Sequence, residues 1–211
     1  PGRTPVTTKL VSEARRGEVL KRVHDACRAG RQAYWVCPLI EESETLQLKT
    51  AEETYSRLSA ELPDLNVGLV HGRLKAAEKA DVMAAFVRSE IQVLVATTVI
   101  EVGVDVSNAS LMVLEHAERF GLAQLHQFRG RVGRGAHKSY CFLFPSTKES
   151  EKSTRLKAME KHHSGFTLSE IDLELRGPGE VFGLKQSGIP DLKMASLSDS
   201  ETIHKARSSA Q

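Results

Sequence analysis

Apolar positions along the chain fall into short continuous runs separated by amphipathic stretches. Ala33-Tyr34-Trp35-Val36-Cys37-Pro38-Leu39 is the clearest run, and its lack of alternation predicts a strand buried on both faces of a parallel sheet. Before it come an extended segment, residues 1–11, with Pro5 and the β-branched Val6-Thr7-Thr8, and a basic helix over residues 12–29. Val19, Leu20, Val23 and Cys27 share one face of that helix. After the acidic loop Glu41-Glu42-Ser43-Glu44, Ala51, Tyr55, Leu58 and Leu62 recur at helical spacing. Strand, helix and strand follow again at residues 66–70, 75–88 and 92–97, with Met83, Phe86 and Val87 inward on the helix. Two more strands are predicted at residues 111–114 and 139–144, with a helix near 121–130 between them. This alternation implies an α/β fold, a parallel sheet with helices on both faces. In such folds ligands sit at the carboxyl ends of the strands.

Past Phe144 the pattern changes, because Pro145 ends the last strand and no further apolar run follows. Ser146 with Glu149, and Thr167 with Glu170, each match a capping box, which predicts helices over about 148–162 and 168–176 joined through Gly165. Leu168, Ile171 and Leu175 share a face of the second helix, and Arg176-Gly177-Pro178-Gly179 breaks it. Residues 180–192, with Gly183, Gly188 and Pro190, read as a shaped loop, and the polar stretch after Ser196 as a fraying tail. The division expected is therefore residues 1–145 for the sheet domain and 146–211 for a helical hairpin, loop and tail.

Charge narrows the function without naming it. The 211 residues carry 29 Lys+Arg against 27 Asp+Glu, a net charge of +2, so nucleic acid cannot be held by bulk charge and needs a local basic surface. Aromatic residues make up only 5%, which argues against broad base stacking. No run approaches the roughly 20 apolar residues of a membrane span, and the N-terminus lacks the apolar core of a signal peptide. A soluble, cytosolic protein is expected. Cys27, Cys37 and Cys141 lack metal-site spacing and read as reduced core residues. A start at Pro1-Gly2-Arg3 without Met suggests a piece of a longer chain.

Three segments could carry chemistry. In Gln127-Phe128-Arg129-Gly130-Arg131-Val132-Gly133-Arg134-Gly135, Gln127, Arg131 and Arg134 fall on one helical face, and Leu125, Phe128 and Val132 on the other. Glycine costs about 1 kcal/mol inside a helix, so Gly130 and Gly133 suggest a bend or a close backbone approach. Arginines so placed suit a polyphosphate; a solvated basic helix end is the competing reading. The second segment, residues 97–105, follows a buried strand, where Thr97, Thr98 and backbone N–H groups could meet phosphate, and where Asp105 could take a ribose hydroxyl or order an arginine. The third is the strand exit His71-Gly72-Arg73. There is no Gly-Lys phosphate loop and no Asp-Glu pair after a strand. If the chain handles ATP, it supplies half the site.

Together these residues resemble the second motor domain of superfamily 2 helicases, residues 97–105 being similar to motif V and residues 127–134 to motif VI. Ala117-Glu118-Arg119-Phe120-Gly121-Leu122-Ala123-Gln124-Leu125-His126-Gln127 with Arg129-Gly130-Arg131-Val132-Gly133-Arg134 is similar to a signature shared by the RecG and Mfd families. Asp172-Leu173-Glu174-Leu175-Arg176-Gly177-Pro178-Gly179-Glu180 and Gln186-Ser187-Gly188 resemble the translocation motif confined to those two families. Gly177-Pro178-Gly179-Glu180 and the stretch over residues 33–44 favour the RecG family. The resemblance spans Pro1 to about Leu197, with departures at Phe182 and Leu184-Lys185 that touch the loop alone.

The resemblance implies a RecA-like fold and a bacterial, cytoplasmic, nucleoid-associated ATP-dependent DNA helicase that regresses forks and migrates Holliday junctions in recombination and repair. It implies ATP and Mg²⁺ as cofactors, with Mg²⁺ held mainly by an absent first motor domain, and an isolated fragment inactive without the Walker A and B motifs. Gln127, Arg131 and Arg134 would be catalytic, and with Gly103 and Asp105 would bind ATP. His71, Gly72, Arg73, Thr97, Thr98, Arg176 and Gln186 would serve DNA binding and translocation. Implied partners are branched double-stranded DNA, an N-terminal wedge domain and first motor domain of the same protein, and a single-stranded DNA-binding protein. Two alternatives stay open: an Mfd-like translocase acting on RNA polymerase, and a non-catalytic DNA-binding module. An RNA helicase fits less well, since the motif spanning Arg176 and Gln186 has no counterpart there.

Overall fold

The computed structural model describes residues 3–38, 43–97 and 105–177. Its elements run β1 (Val6–Leu10), α1 (Arg16–Arg28), β2 (Gln32–Val36), α2 (Glu44–Glu61), β3 (Val67–Val70), α3 (Ala76–Val87), β4 (Val93–Ala96), β5 (Ala109–Leu114), α4 (Leu122–Arg129), β6 (Ser139–Leu143), α5 (Thr154–Lys161) and α6 (Gly165–Arg176). The six strands form one sheet in the order β1-β6-β5-β2-β4-β3, and every pairing is parallel.

Side-chain alternation explains both helical layers. Ala33, Trp35, Val93, Val95, Leu111, Val113 and Phe142 point to one face, where Val19 and Val23 of α1 and Leu58 of α2 cover them. Tyr34, Val36, Leu94, Ala96, Met112, Leu114, Cys141 and Leu143 point to the other, beneath Phe86 of α3, Leu125 and Phe128 of α4, and Leu156 and Met159 of α5. Central strands buried on both sides carry no alternating polar positions, which is why β2 and β4 read as continuous apolar runs. All three cysteines are buried and free. Burial pushes the thiols of Cys27 and Cys141 up to about 12 and that of Cys37 up to about 11, so they pack as apolar residues.

Several expectations change. Residues 1–11 contain a true edge strand, β1, paired with the last strand, β6. Val87 and Leu175, expected to face inward, are exposed, whereas Phe86 and Leu168 are buried. The expected capping boxes do not form. Ser153 Oγ accepts from Leu156 N and Ser164 Oγ from Thr167 N, both at 3.4 Å, so α5 starts six residues later than expected and α6 three residues earlier. Ser146 instead bonds the carboxylate of Glu118, and Gly165 opens α6. Serines at the turns outcompete the more distant Ser/Thr–Glu pairs because they are already extended where the helix must begin. The loop expected at 180–192 and the tail lie outside the described residues.

Candidate functional site

α4 begins at the carboxyl edge of the sheet, after a short 3₁₀ turn Ala117–Arg119 whose first N–H donates to Phe144 O at 2.9 Å. It descends across the face and stops at Arg129. Gly130 is its C-cap, and Gly133 takes φ +80°, so residues 130–135 form a loop at the amino edge. The single helical face expected for Gln127, Arg131 and Arg134 is therefore corrected. Gln127 is exposed in the last turn of α4, while both arginines stand on the loop beyond it. Leu125, Phe128 and Val132 are buried as expected, and they anchor the loop to the core.

The arginine loop faces Asp105. The Arg134 guanidinium pairs with the Asp105 carboxylate, and its Nε donates to Gly130 O at 3.2 Å. A methyl on Gly135 would lie 2.6 Å from Ser107 O, so the strand approach before β5 and the arginine loop are packed backbone to backbone. Burial pushes the hydroxyl of Tyr34 up to about 12, with Arg131 and Arg134 opposing the shift and Asp105 adding to it.

The other candidates sit elsewhere. Thr97 follows β4 at the carboxyl edge, where its N–H donates to Val70 O at 3.2 Å and its buried Oγ1 has no hydrogen-bond partner among the described residues. His71-Gly72-Arg73 follows β3 at the same edge. His71 Nδ1 accepts from Arg73 N at 3.2 Å, and Arg73 Nη2 donates to Thr45 Oγ1 at 3.3 Å. Thr97 and Asp105 are near in sequence but lie at opposite edges, because a chain joining two parallel strands must cross the sheet. Ligand contact at the carboxyl ends alone therefore describes only one of two groups. Thr98, Gly103 and Gln186 lie outside the described residues.

Sequence reasoning missed the link between α4 and the hairpin. Arg129 is 4% exposed. Its Nη1 donates to Met159 O at 2.8 Å, His162 O at 2.9 Å and Thr8 Oγ1 at 3.3 Å, and its Nη2 donates to His163 O at 3.3 Å and meets His126 Nδ1 at 3.1 Å. It caps the carbonyl end of α5, where the helix dipole favours a cation. Burial holds its pKa below the ordinary arginine value, yet arginine stays charged at neutral pH. Nothing in the pattern marks an arginine beside Phe128 as buried; the spacing alone placed it on neither face. Arg155 Nη2 donates to Glu118 O at 2.5 Å, tying α5 to the turn before α4. Arg176 Nε bonds Asp172 Oδ2 at 3.1 Å, and its Nη2 lies over Gly121, the N-cap of α4. Among the described residues no cluster of three or more His, Cys, Asp or Glu could hold a metal.

Comparison with known proteins fits this geometry. RecG of Escherichia coli (strain K12), an ATP-dependent DNA helicase, is 57% identical over 199 residues, which are 93% of this chain and 29% of that protein. RecG of Bacillus subtilis (strain 168) is 47% identical over 99% of this chain and 31% of its own length. The chain thus spans about three tenths of the length of these relatives. A structure of RecG bound to a three-way DNA junction matches with a TM-score of 0.71 at 46% identity, over 86% of this chain and 24% of that one. S. cerevisiae Dbp5, at 19% identity and a TM-score of 0.55, shares the RecA-like helicase fold. Residues 16–136, which run from α1 through the arginine loop, match the helicase conserved C-terminal domain, and the chain belongs to that family.

Proposed function

We propose that this chain is the second motor half of an ATP-dependent DNA helicase that remodels branched DNA by fork regression and junction migration in recombination and repair. Residues 1–145 would form the motor unit and residues 146–211 the hairpin, translocation loop and tail. The observation that carries this reading is the anchored loop that carries Arg131 and holds Arg134 against Asp105. Planar, multidentate guanidinium groups suit phosphate oxygens, and a carboxylate that pairs with Arg134 keeps it extended until phosphate charge competes for it. ATP would lie between this face and a preceding motor domain, which would supply most of the Mg²⁺ ligands. Gln127 and Gly103 would complete this side. Arginines offered across such a cleft stabilise transition-state charge and can contribute about 10³ to 10⁵ in rate.

Hydrolysis would reach DNA through packing already in place. A shift of the arginine loop pulls on Arg129, which holds the end of α5, and Arg176 and Gln186 would pass that motion to the translocation loop. His71, Gly72, Arg73, Thr97 and Thr98 would face the duplex from the carboxyl edge. A wedge domain and a single-stranded DNA-binding protein would be partners, in the bacterial cytoplasm at the nucleoid; no helix among the described residues is long and apolar enough to cross a membrane. The identity to RecG over almost the whole chain favours this reading over the Mfd-like one.

The test uses the full-length protein. Arg134→Ala should lower DNA-stimulated ATPase by about 10³ while fork binding in a gel-shift assay persists. Retained hydrolysis would overturn the assignment. Arg176→Ala should keep most ATPase and lose fork unwinding, and equal loss of both would remove its coupling role.

A further inference from the structure

The arginine loop has three glycines, Gly130, Gly133 and Gly135, and glycine leaves a backbone free to wander. Besides the buried Val132 and the contact with Ser107, the loop is held by a segment more than 120 residues away. Arg3 Nη2 donates to Gly130 O at 3.3 Å, Thr4 N to Gly133 O at 3.2 Å, and Thr4 Oγ1 to Gly135 O at 3.1 Å. Each glycine carbonyl thus receives a donor from Arg3 or Thr4. Arg131 and Arg134 stand between those carbonyls. Gly130 O also accepts from Arg134 Nε at 3.2 Å, so the entering chain and the candidate arginine share one acceptor. Contact is close as well: a methyl on Gly133 would lie 2.7 Å from Val6 Cγ2 and 2.8 Å from Thr4 O.

We propose that Arg3 and Thr4 are positioning residues for the arginine loop, so that the segment leading into β1 determines where Arg134 points. This rests on the reading of Arg134 as an ATP-facing group. Under that reading the same segment is the connection from the preceding motor domain, and the relative placement of the two motor domains bears directly on the loop that reaches for phosphate. The two ends of the cleft are then linked through covalent chain as well as through ATP.

The experiment compares Thr4→Val, Thr4→Ser and Arg3→Ala, the Thr4→Val, Arg3→Ala double variant, and Arg134→Ala in the full-length protein, by steady-state DNA-stimulated ATPase and thermal denaturation. Thr4→Val keeps the β-branched shape and loses the Oγ1 donor. Misplacing a reacting group by about 1 Å can cost about 100-fold, so Thr4→Val with Arg3→Ala should lower kcat about tenfold or more. KM for ATP should stay within about twofold, since the loss falls on the transition state. Thr4→Ser should restore kcat while the melting temperatures of both Thr4 variants match, separating aim from packing. An unchanged kcat in the Thr4→Val, Arg3→Ala double variant, or a fall that Thr4→Ser shares, overturns the proposal. If Arg134→Ala keeps hydrolysis, the ATP-facing reading itself fails and takes this one with it. If Arg134→Ala is inactive and the double variant is unaffected, only the positioning role fails.

Discussion

At the scale of single residues, Glu115 carries the clearest energetic consequence. Its carboxylate ends β5 with 8% of its side chain exposed, and accepts from Arg16 Nη1 at 2.5 Å, Arg16 Nη2 at 2.8 Å, Trp35 Nε1 at 3.0 Å and Arg57 Nη2 at 3.4 Å. Burial works to raise its pKa, but the hydrogen bonds and charge of Arg16, with help from Trp35 and Arg57, hold it below the ordinary glutamate value of 4.5. A depressed carboxyl pKa contributes stability that is present above that ordinary value and lost as pH falls through the folded one. Glu115→Gln should therefore flatten the acid limb of a denaturation curve below pH 4.5. Glu115→Ala leaves Arg16 with Glu13 alone and strands the buried Trp35 N–H, and should cost about 1–3 kcal/mol in urea unfolding; a loss under about 0.5 kcal/mol would show that the cluster is relieved by solvent. The sequence offered little warning, because a glutamate closing an apolar run looks the same whether it faces water or a tryptophan.

Among elements, the junction of α4 and α6 is tightest at one small residue. A methyl on Gly165 would lie 2.8 Å from His126 Nε2, so α6 begins against the α4 histidine that also meets Arg129. Gly→Ala in a helix usually stabilises by about 1 kcal/mol. Here Gly165→Ala should instead destabilise by about 1–3 kcal/mol through overpacking, and His126→Ala should suppress the defect in a double-mutant cycle. Additive effects would mean the two residues do not meet. His126 also gives the junction a pH sense. Burial first, then the charges of Arg129 and Arg3, hold its pKa below the ordinary 6.5. The unfolded chain then takes up the proton first, so stability rises with pH up to about 6.5 and falls below it. Protection factors in α6, corrected for the intrinsic pH dependence of amide exchange, should fall as pH drops below about 6.5, and His126→Gln should remove that dependence. Helix existence was legible from periodicity for α1 to α4. The hairpin's ends were not, because several serines and threonines competed to start each helix and only packing chose between them.

Across the whole molecule, the sheet and its two helical layers follow from the apolar runs, whereas the division of candidate residues between two sheet edges does not. Nothing local tells Thr97 from Asp105; parallel topology separates them. The motif spacing located the arginines but not what holds them, since Arg3 and Thr4 are distant in sequence and ordinary in type.

The edge position of β1 has a consequence for synthesis. β1 is made first of the six strands, yet its strand partner is β6, made last. Contacts of such separation are slow to form because a long loop must close before any pairing rewards it. While the chain emerges from the ribosome, Val6–Leu10 has no strand to join until Ser139–Leu143 is outside. A chain stopped after His137 should leave the amides of β1 unprotected in hydrogen exchange while β2 and β4 are already slow. Protected β1 amides in that truncation would point to a different early partner. The last strand to be translated therefore docks the first, and the loop that carries Arg131 and Arg134, immediately before β6, takes its final shape at the same moment.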